Sequence, residues 1–400
     1  MIDKKKSNIL LCITGSIAAY KSADVIRLFK KNGYEVQVVM TKSANEFITP
    51  LTLQALSGNK VHQDLLDTES ELAMGHIELA KWADIVIVAP CSAESIARLS
   101  QGRADNLLSA IILATKAKIF IAPAMNMNMW SNAVTKKNIT YLSSIGMQLI
   151  GPEKGYQACG DHGYGRMSEP EEIYQTVVTS INKPLQGKSI IITAGPTREQ
   201  IDPVRFISNN SSGKMGFAMA EAAISSGADV FLIAGPVSLV CSEGIKRIDV
   251  KTADDMYKKS LALMDCADIF IGCAAVADFK SNIINDKKIK KSSENYLDIR
   301  LEKNIDIISS LAEQFPKKTF MGFCAETESV EEYAKGKLIS KGLDLIVAND
   351  VSKSDIGFDS DFNEVNVYTK ESKKYYEKSS KSLLAFKLIN LLGQNSQSIH

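Results

Sequence analysis

The 400-residue sequence has little that would place it in a membrane, a nucleic-acid complex or a disulfide framework. Its longest membrane-like stretch, residues 109–130, is interrupted by Lys116, Lys118 and Pro123, so it does not provide the roughly 20 apolar residues of a span. Basic and acidic residues number 47 and 46, and this balance gives no general attraction for nucleic acid. Seven cysteines without a CxxC pair, and only four histidines, argue against a disulfide framework and a structural zinc site. We therefore expect a cytoplasmic protein with neither a nucleic-acid nor a membrane partner.

Short apolar runs without polar alternation occur in two sets along the chain. Such runs are typical of parallel strands that are buried on both faces. The first set comprises residues 9–13, 35–40, 85–89 and 119–122. The second set comprises residues 190–193, 230–234, 269–272, 320–323 and 345–348. Because helical patterns separate the runs, we predict an α/β protein with two tandem, doubly wound parallel-sheet domains.

The segments that separate the apolar runs predict the domain boundary and several further elements. Residues 182–188 lack apolar periodicity and contain Pro184 and Gly187, so we predict a linker there, between domains at 1–181 and 189–400. We expect a glycine-rich loop over 151–165, helices over 171–181 and 330–341, and an edge strand over 365–368. The polar, lysine-rich run 280–303 is too long for a simple connection and is interpreted as a functional or mobile flap.

The turn after the first predicted strand is a candidate phosphate cradle. Gly15 and Ser16 follow that strand, while Thr41 and Ser92 follow two others, so all four are expected at one carboxyl edge. The turn has no GxGxxG pattern, which disfavours a dinucleotide. Ordinary turn chemistry is an equally good explanation of this loop taken alone.

Three further residues in the first half combine into a candidate catalytic set. His76 begins an amphipathic pattern in GHIELA, where a histidine is more often a surface or capping residue. Asn126 lies in PAMNMNMW, which is either a methionine-rich core segment or a loop that presents an amide to a carboxylate. Cys159 lies in ACGD, within the glycine-rich loop, where a cysteine is more often incidental than catalytic.

Taken together, these segments resemble the flavin-dependent phosphopantothenoylcysteine decarboxylases over residues 8–181. The resemblance implies a flavodoxin-like fold and an FMN cofactor that oxidises the substrate CH₂–SH group to a thioaldehyde, which supplies the electron sink for loss of CO₂. By the same resemblance His76 is a base, Asn126 binds the carboxylate and Cys159 protonates the enethiolate. Glu94 stands where relatives more often have Asn or Asp.

The second half contains several polar segments that follow predicted strands. Asn209 and Lys214 belong to a stretch of hydroxyl, glycine and lysine residues before a predicted helix, which is typical of a phosphate nest. The stretch lacks GxxxxGK[ST], so a P-loop is disfavoured. Arg205 and Lys214 are candidates for a substrate phosphate. Lys337 and Lys341 lie on one helix face, where they either reach a common polyphosphate or are simply solvated.

The segments ITAGPTRE, DPVRFISN, SSGKMG, GCAAVAD, KIKK, GFCAET and VAND resemble the CTP-dependent phosphopantothenate–cysteine ligases over residues 187–386. In this order, the two resemblances are those of the bifunctional coenzyme A biosynthesis enzymes, the second domain being Rossmann-like. The resemblance implies that Asn209 contacts the carboxylate or acyl intermediate and that Lys288 stabilises phosphate charge. The positions it implies for CTP are Gly272, Cys273, Ala274, Asp278, Lys288, Ile305, Asp306, Ile307, Ile308, Phe323, Lys337 and Lys341.

The resemblance further implies small-molecule substrates: 4'-phosphopantothenate, cysteine and CTP, the last with Mg²⁺. It identifies no protein ligand for the metal. It also implies a homo-oligomer in which trimers of the first domain and dimers of the second build a dodecamer. Ile305 stands where relatives usually have Pro.

Two other interpretations of the first half remain open. One is a flavin-fold prenyltransferase or peptide cysteine decarboxylase, and neither accounts for the ligase-like second half. The other is a non-catalytic regulatory flavoprotein, which would not require His76 and Cys159 together with a complete lysine flap.

Overall fold

The computed structural model describes residues 6–65, 75–290, 298–326, 328–350 and 360–397. The chain divides into two units, Met1–Val177 and Val178–His400. Within the described residues, no helix combines the length and the apolar character needed to cross a bilayer.

A six-stranded parallel sheet forms the centre of the first unit. Its strands are β1 (Asn8–Ile13), β2 (Glu35–Met40), β3 (Val61–His62), β4 (Ile85–Cys91), β5 (Lys118–Pro123) and β6 (Gln148–Leu149). Their order across the sheet is β3-β2-β1-β4-β5-β6. Every residue of β4 is buried, which requires cover on both faces and explains why its sequence does not alternate. The doubly wound α/β prediction is confirmed for this unit.

In the described part of this unit, eight α-helices accompany the sheet. They are α1 (Lys21–Lys31), α2 (Pro50–Ser57), α3 (His76–Trp82), α4 (Ala93–Ser100), α5 (Leu107–Ala114), α6 (Met127–Ser131), α7 (Ala133–Ser144) and α8 (Pro170–Asn182). Helix α1 buries Val25, Ile26 and Phe29 on one face. It ends before Gly33, whose φ of 76° is left-handed and therefore incompatible with a right-handed helix.

The glycine-rich segment that we expected to be a loop contains regular structure. It forms an antiparallel hairpin of β7 (Glu153–Tyr156) and β8 (His162–Arg166), while the methionine-rich segment, for which a core segment and a loop were both considered, contains the short helix α6. The prediction of a glycine-rich loop was wrong because the hairpin depends on a close approach between two segments, which the local sequence does not reveal. A Cβ atom on Gly165 would lie 2.2 Å from the carbonyl oxygen of Met125, and the Met125 amide donates to the Gly165 carbonyl at 2.9 Å.

The second unit contains an eight-stranded sheet and two small antiparallel pairs. Its strands are β9 (Ser189–Ala194), β10 (Arg198–Gln200), β11 (Phe206–Ser208), β12 (Asp229–Ala234), β13 (Lys246–Asp249), β14 (Ile269–Gly272), β15 (Phe279–Ser281), β16 (Leu301–Lys303), β17 (Thr319–Glu326), β18 (Leu345–Asp350), β19 (Phe362–Tyr368) and β20 (Lys373–Ser380). The large sheet runs β13-β12-β9-β14-β17-β18-β19-β20, with β19 and β20 antiparallel to their neighbours. The pairs β10–β11 and β15–β16 lie outside it, and residues 291–297 of the predicted flap lie outside the described residues.

Among the described residues of the second unit, five α-helices pack on this sheet. They are α9 (Lys214–Ser225), α10 (Ala253–Leu263), α11 (Ile307–Gln314), α12 (Val330–Ser340) and α13 (Lys381–Gln397). The helix predicted over 330–341 corresponds to α12. Helix α13, which the sequence analysis did not predict, packs against α9 and buries Leu384, Leu388 and Leu392 in the core.

The edge strand expected over 365–368 is not an edge. Strand β19 pairs with β18 on one side and with β20 on the other, so β20 is the edge. Charged and polar residues dominate β20, and only Tyr376 is buried in it, which is why hydrophobic patterning does not reveal it. Such a charged sequence is typical of an edge strand.

The predicted linker packs onto the second unit. Leu185 is fully buried in the core, and its amide donates to the Ser226 carbonyl at 3.1 Å. The division between the units falls at Val177–Val178, within α8. The exact domain limits remain a prediction.

Replacing Leu388 by Ala should destabilise the second unit by about 2–5 kcal/mol, because it leaves a cavity between α9 and α13. We expect faster hydrogen exchange in peptides from β14 and unchanged exchange in peptides from β4, measured by mass spectrometry. The exposed neighbour Ser382→Ala serves as the control and should change stability by no more than about 0.5 kcal/mol. Equal protection in the two variants would contradict the packing.

Candidate active sites

The loops after β1 and β4 meet at the carboxyl edge of the first sheet. Thr14 joins them, since its hydroxyl donates to the Pro90 carbonyl at 2.8 Å and accepts from the Ser92 amide at 2.9 Å. Ser92 also caps α4 by accepting from the Ser95 amide. Ser16 caps the short turn that follows β1 by accepting from the Ala18 amide. Hydroxyl groups and helix N-termini therefore gather at this edge.

Glycine is required at position 15 because the backbone there lies very close to Ser43 at the same edge of the sheet. A Cβ atom at this position would lie 2.7 Å from both Cβ and Oγ of Ser43. Thr41 lies beside this contact, with its hydroxyl 3.3 Å from the Ser43 hydroxyl and its amide bonded to the Ile13 carbonyl. The four predicted residues Gly15, Ser16, Thr41 and Ser92 thus lie on neighbouring loops of one sheet edge.

Asn126 and Cys159, which are 33 residues apart, are in hydrogen-bond contact. The Asn126 side-chain amide donates to Cys159 Sγ at 3.4 Å and to Asp161 Oδ2 at 2.8 Å. The thiol in turn lies 3.4 Å from Asp161 Oδ2. Asn126 also caps α6, since its Oδ1 accepts from the Asn128 amide at 2.8 Å. The cluster is exposed, so an incoming ligand has access to the amide, thiol and carboxyl groups.

Gln157 fixes the hairpin tip against α6. Its side-chain oxygen accepts from the Met127 amide at 3.0 Å, and its nitrogen donates to the carbonyls of Met125 and Tyr164. Sequence reasoning missed Gln157 and Asp161, because their roles depend on a contact between two distant segments. Asp161 does stand in the ACGD motif, but nothing in the motif indicates its partner.

His76 is the first residue of α3 and is half-buried. Among the described residues, no hydrogen bond connects its side chain with Asn126 or Cys159. Of the predicted catalytic set, the structure therefore joins Asn126 and Cys159 by a hydrogen bond in the described part of the chain.

A cavity of about 660 Å³ opens at the carboxyl edge of the second sheet. Thr193 and the loop after β14 close its floor, where the Ala274 amide donates to the Thr193 hydroxyl at 3.3 Å. Gly272 leaves room for Ile308, whose Cδ1 lies 2.8 Å from where a Cβ atom would be. The predicted residues that line the cavity are Asn209, Lys214, Gly272, Cys273, Ala274, Asp278, Ile305, Asp306, Ile307, Ile308, Phe323, Lys337 and Lys341.

Two lysines of the cavity are paired with carboxylates. Lys337 Nζ lies 2.6 Å from Glu326 Oε1, and Lys341 Nζ lies 2.8 Å from Asp306 Oδ2. Burial lowers the pKa of Lys337, but the hydrogen bond that its ammonium donates to Glu326 and the nearby negative charges together outweigh burial, so the pKa lies above its ordinary value. Asp306 also caps α11 by accepting from the Ser309 amide. The cavity thus presents cations that a polyphosphate can reach by replacing these carboxylates.

Other cavity residues come from segments that the sequence analysis did not select. Lys381, at the start of α13, is buried and lines the cavity, as does Asn349 at the end of β18. Within the described part of the chain, Asn349 Oδ1 is buried without a hydrogen-bond partner. Lys214 lies 2.7 Å from Asp361, and Asn209 donates to the Val276 carbonyl at 3.0 Å.

Lys288 and Arg205 do not line this cavity in the described chain. Arg205 instead donates to the carbonyl of Ile289 at 3.4 Å, which places it beside the segment that carries Lys288. The two residues therefore belong to one surface that is built from the segments around β10 and β15. Among the described residues, no group of three or more His, Cys, Asp and Glu side chains forms a metal cluster.

These features define a two-unit α/β enzyme with a polar ligand edge in each unit. The family model "Flavoprotein" matches residues 2–182, and the model "DNA/pantothenate metabolism flavoprotein C-terminal domain" matches residues 185–395. The coenzyme A biosynthesis bifunctional protein CoaBC of Haemophilus influenzae is 53% identical over 393 residues, covering 98% of each chain. The protein of that name from Escherichia coli is 47% identical over 387 residues, covering 96% of this chain and 95% of the relative.

A crystal structure of the C-terminal domain of a CoaBC protein is 37% identical, with a TM-score of 0.47, and covers 54% of this chain and 99% of that one. The chain belongs to the CoaBC family of bifunctional coenzyme A biosynthesis proteins. It is an enzyme with ligase and decarboxylase activities in coenzyme A biosynthesis, and its first half is a flavoprotein domain.

The seven cysteines are free thiols that differ in exposure, so alkylation should distinguish them. Burial raises the pKa of Cys273 to about 12 and that of Cys324 to about 11, which leaves little thiolate at pH 8. We expect iodoacetamide to modify the exposed Cys159 and Cys266 first, as measured by peptide mass spectrometry. Equally rapid labelling of Cys273 would contradict the described burial.

Proposed function

We propose that the second unit joins cysteine to 4'-phosphopantothenate with CTP and that the first unit decarboxylates the product with FMN. The observation that carries the decarboxylase assignment is the contact of Asn126 with Cys159. For the ligase, the supporting observation is the gathering of the residues implied for CTP around one cavity. Both assignments agree with the activities of the family.

The first edge fits the phosphate of FMN. Ser16, Thr41 and Ser92 offer hydroxyl groups beside backbone amides, and Gly15 keeps the approach open. When bound, FMN supplies the oxidation of the substrate thiol carbon that makes a neighbouring carboxylate able to leave as CO₂.

The exposed cluster provides the groups that handle the substrate carboxylate and proton. Asn126 donates a hydrogen bond to the carboxylate, which means that the substrate replaces Asp161 as the acceptor of that amide. His76 serves as the base near the thiol or carboxylate, and the Cys159 thiol donates a proton to the enethiolate after CO₂ has left. The contact of Cys159 with Asn126 supports this assignment, because a carboxylate bound by the Asn126 amide would bring the adjacent substrate carbon near the thiol.

The ligase must first make a carboxylate electrophilic. Attack of the phosphopantothenate carboxylate on the α-phosphate of CTP releases pyrophosphate and gives an acyl-cytidylate. The cysteine amine then forms the amide and releases CMP. Asn209 contacts the carboxylate or the acyl intermediate, Lys288 stabilises the developing phosphate charge, and Lys337 and Lys341 bind the triphosphate. Arg205 and Lys214 are proposed for the phosphate of phosphopantothenate.

Mg²⁺ would be held mainly by triphosphate oxygens, with at most one or two carboxylates from the protein. This coordination suits a cavity whose lining carboxylates Asp278 and Asp306 stand on separate segments, the first just before β15 and the second at the N-terminus of α11. We also propose a cytoplasmic location, which agrees with seven free thiols.

We further propose a homo-oligomer, a dodecamer built from trimers of the first unit and dimers of the second. Large apolar side chains are exposed on the small antiparallel pairs of the second unit and next to them. These residues are Val204, Phe206, Phe279, Ile283, Ile284 and Leu301. Such exposure is typical of a surface that is covered in the assembly.

Replacing Lys288 by Gln should lower pyrophosphate release by roughly 10²- to 10³-fold, because the charge on the transition state loses its cation. Release of CO₂ from supplied phosphopantothenoylcysteine should be unchanged.

Replacing His76 by Asn should lower decarboxylation by roughly 10²- to 10⁴-fold, because the base is lost, and should leave pyrophosphate release unchanged. A His76→Asn enzyme that decarboxylates at the wild-type rate would rule out the proposed base.

Gly15→Ala should remove most of the bound FMN, because the added Cβ atom collides with Ser43 and displaces the loop. The flavin absorbance per chain measures this loss. Gly75→Ala is the matched control, since a Cβ atom there meets no atom of the described residues within 4 Å. Full flavin content in Gly15→Ala would show that this loop is not the FMN site.

A further inference from the structure

A buried carboxylate holds the segment that carries Lys288. The Asp202 side chain is fully buried, and its Oδ2 accepts a hydrogen bond from the Ile289 amide at 3.2 Å. Its Oδ1 accepts from the amides of Val204 and Arg205, both at 2.8 Å. Ile289 directly follows Lys288, so this contact fixes the backbone next to the residue that bears the charge.

Two further contacts attach the same segment to the same loop. The Asn285 amide donates to the Ile201 carbonyl at 3.0 Å, and the Arg205 guanidinium donates to the Ile289 carbonyl at 3.4 Å. Lys288 itself is exposed. The attachments at Asn285 and Ile289 therefore fix the backbone from which the Lys288 side chain extends.

The charge of Asp202 is part of this attachment. Burial raises the pKa of its carboxyl group, but the amide hydrogen bonds from Val204, Ile289 and Arg205 outweigh burial, so the pKa lies below its usual value. Arg205 Nη1 lies 3.5 Å from Oδ2 and adds a favourable charge. At neutral pH the group is an ionised acceptor, and hydrogen bonds to an ionised acceptor are the strong ones.

We propose that Asp202 is a positioning residue for the ligase reaction, which holds Lys288 in place through the amide of Ile289. The inference rests on the proposed role of Lys288 in amide formation. Asp202 has no role in the chemistry itself, because its side chain is enclosed by protein and its acceptor sites are occupied by backbone donors.

The amide side chain of Asn tests this role closely. Asp202→Asn keeps the size of the side chain but loses the negative charge, and one of its two acceptor oxygens becomes an NH₂ donor. We expect kcat for pyrophosphate release to fall by roughly ten- to a hundredfold, with KM for CTP nearly unchanged, since the misplaced group is needed in the transition state. Asp286→Asn removes a charge from an exposed side chain of the same segment and should leave ligation unchanged.

A double-mutant cycle in the full-length enzyme identifies the route of the effect. If Asp202 acts through Lys288, adding Asp202→Asn to Lys288→Gln should lower kcat no further. Decarboxylation of supplied phosphopantothenoylcysteine should be normal in all variants. Effects that multiply in the double variant, or a wild-type rate in Asp202→Asn, would overturn the inference while leaving the role of Lys288 intact.

Other outcomes separate this inference from the proposed function. Wild-type ligation by Lys288→Gln would remove the role of Lys288 and with it the role of Asp202. If Asp202→Asn does not fold, Ile289→Pro is the alternative. It removes the Ile289 N–H group that donates to Asp202, and it does so at a half-buried residue rather than at a fully buried one. A fall confined to ligation in that variant would support the inference, and a wild-type rate would overturn it.

Discussion

The candidate ligand sites of both units depend on one topological feature: the direction in which strands are added to the sheet reverses between the first and the fourth parallel strand. Numbered along the chain, the six parallel strands of each unit lie in the order 3-2-1-4-5-6. The connections that follow the first and fourth strands therefore run to opposite sides of the sheet and leave a crevice at its carboxyl edge. A threonine hydroxyl joins these loops in each unit. Thr14 accepts from the Ser92 amide at 2.9 Å, and Thr193 accepts from the Ala274 amide at 3.3 Å. The candidate ligand groups lie around these two crevices because the topology leaves backbone amides available there.

Additions to the common frame distinguish the two chemistries. The first unit adds a hairpin whose tip brings a thiol and a carboxylate to Asn126, which suits proton transfer to and from a small substrate. The second unit adds α12, which carries Lys337 and is followed directly by Lys341. Both lysines line the cavity and are paired with carboxylates, which suits a polyphosphate. The small antiparallel pairs of the second unit add the surface that carries Lys288.

Hydrophobic patterning predicted the parallel strands well, because a strand such as β4 is buried on both faces and its sequence is continuously apolar. Patterning missed β20, whose charged sequence is that of an edge, and α13, which completes the core against α9. It also missed the hairpin, which exists because Gly165 allows close contact with Met125.

The candidate sites divide in the same way. Residues of strand-end loops, such as Gly15 and Ser92, could be predicted at one sheet edge from the sequence because the fold fixes where parallel strands end. Asp161 and Asp202 make contacts between distant segments, and no local pattern specifies those contacts. Lys288, which the resemblance assigns to the CTP site, is not among the described residues that line the cavity.

The central claim is that this one chain activates a carboxylate with CTP and then releases a different carboxylate as CO₂. The most direct test supplies the intact enzyme with 4'-phosphopantothenate, Mg²⁺, CTP and cysteine labelled in its carboxyl group. Labelled CO₂ should appear only when CTP is present and should never exceed the pyrophosphate formed. Labelled CO₂ without CTP, or pyrophosphate that is never followed by CO₂, would contradict the account.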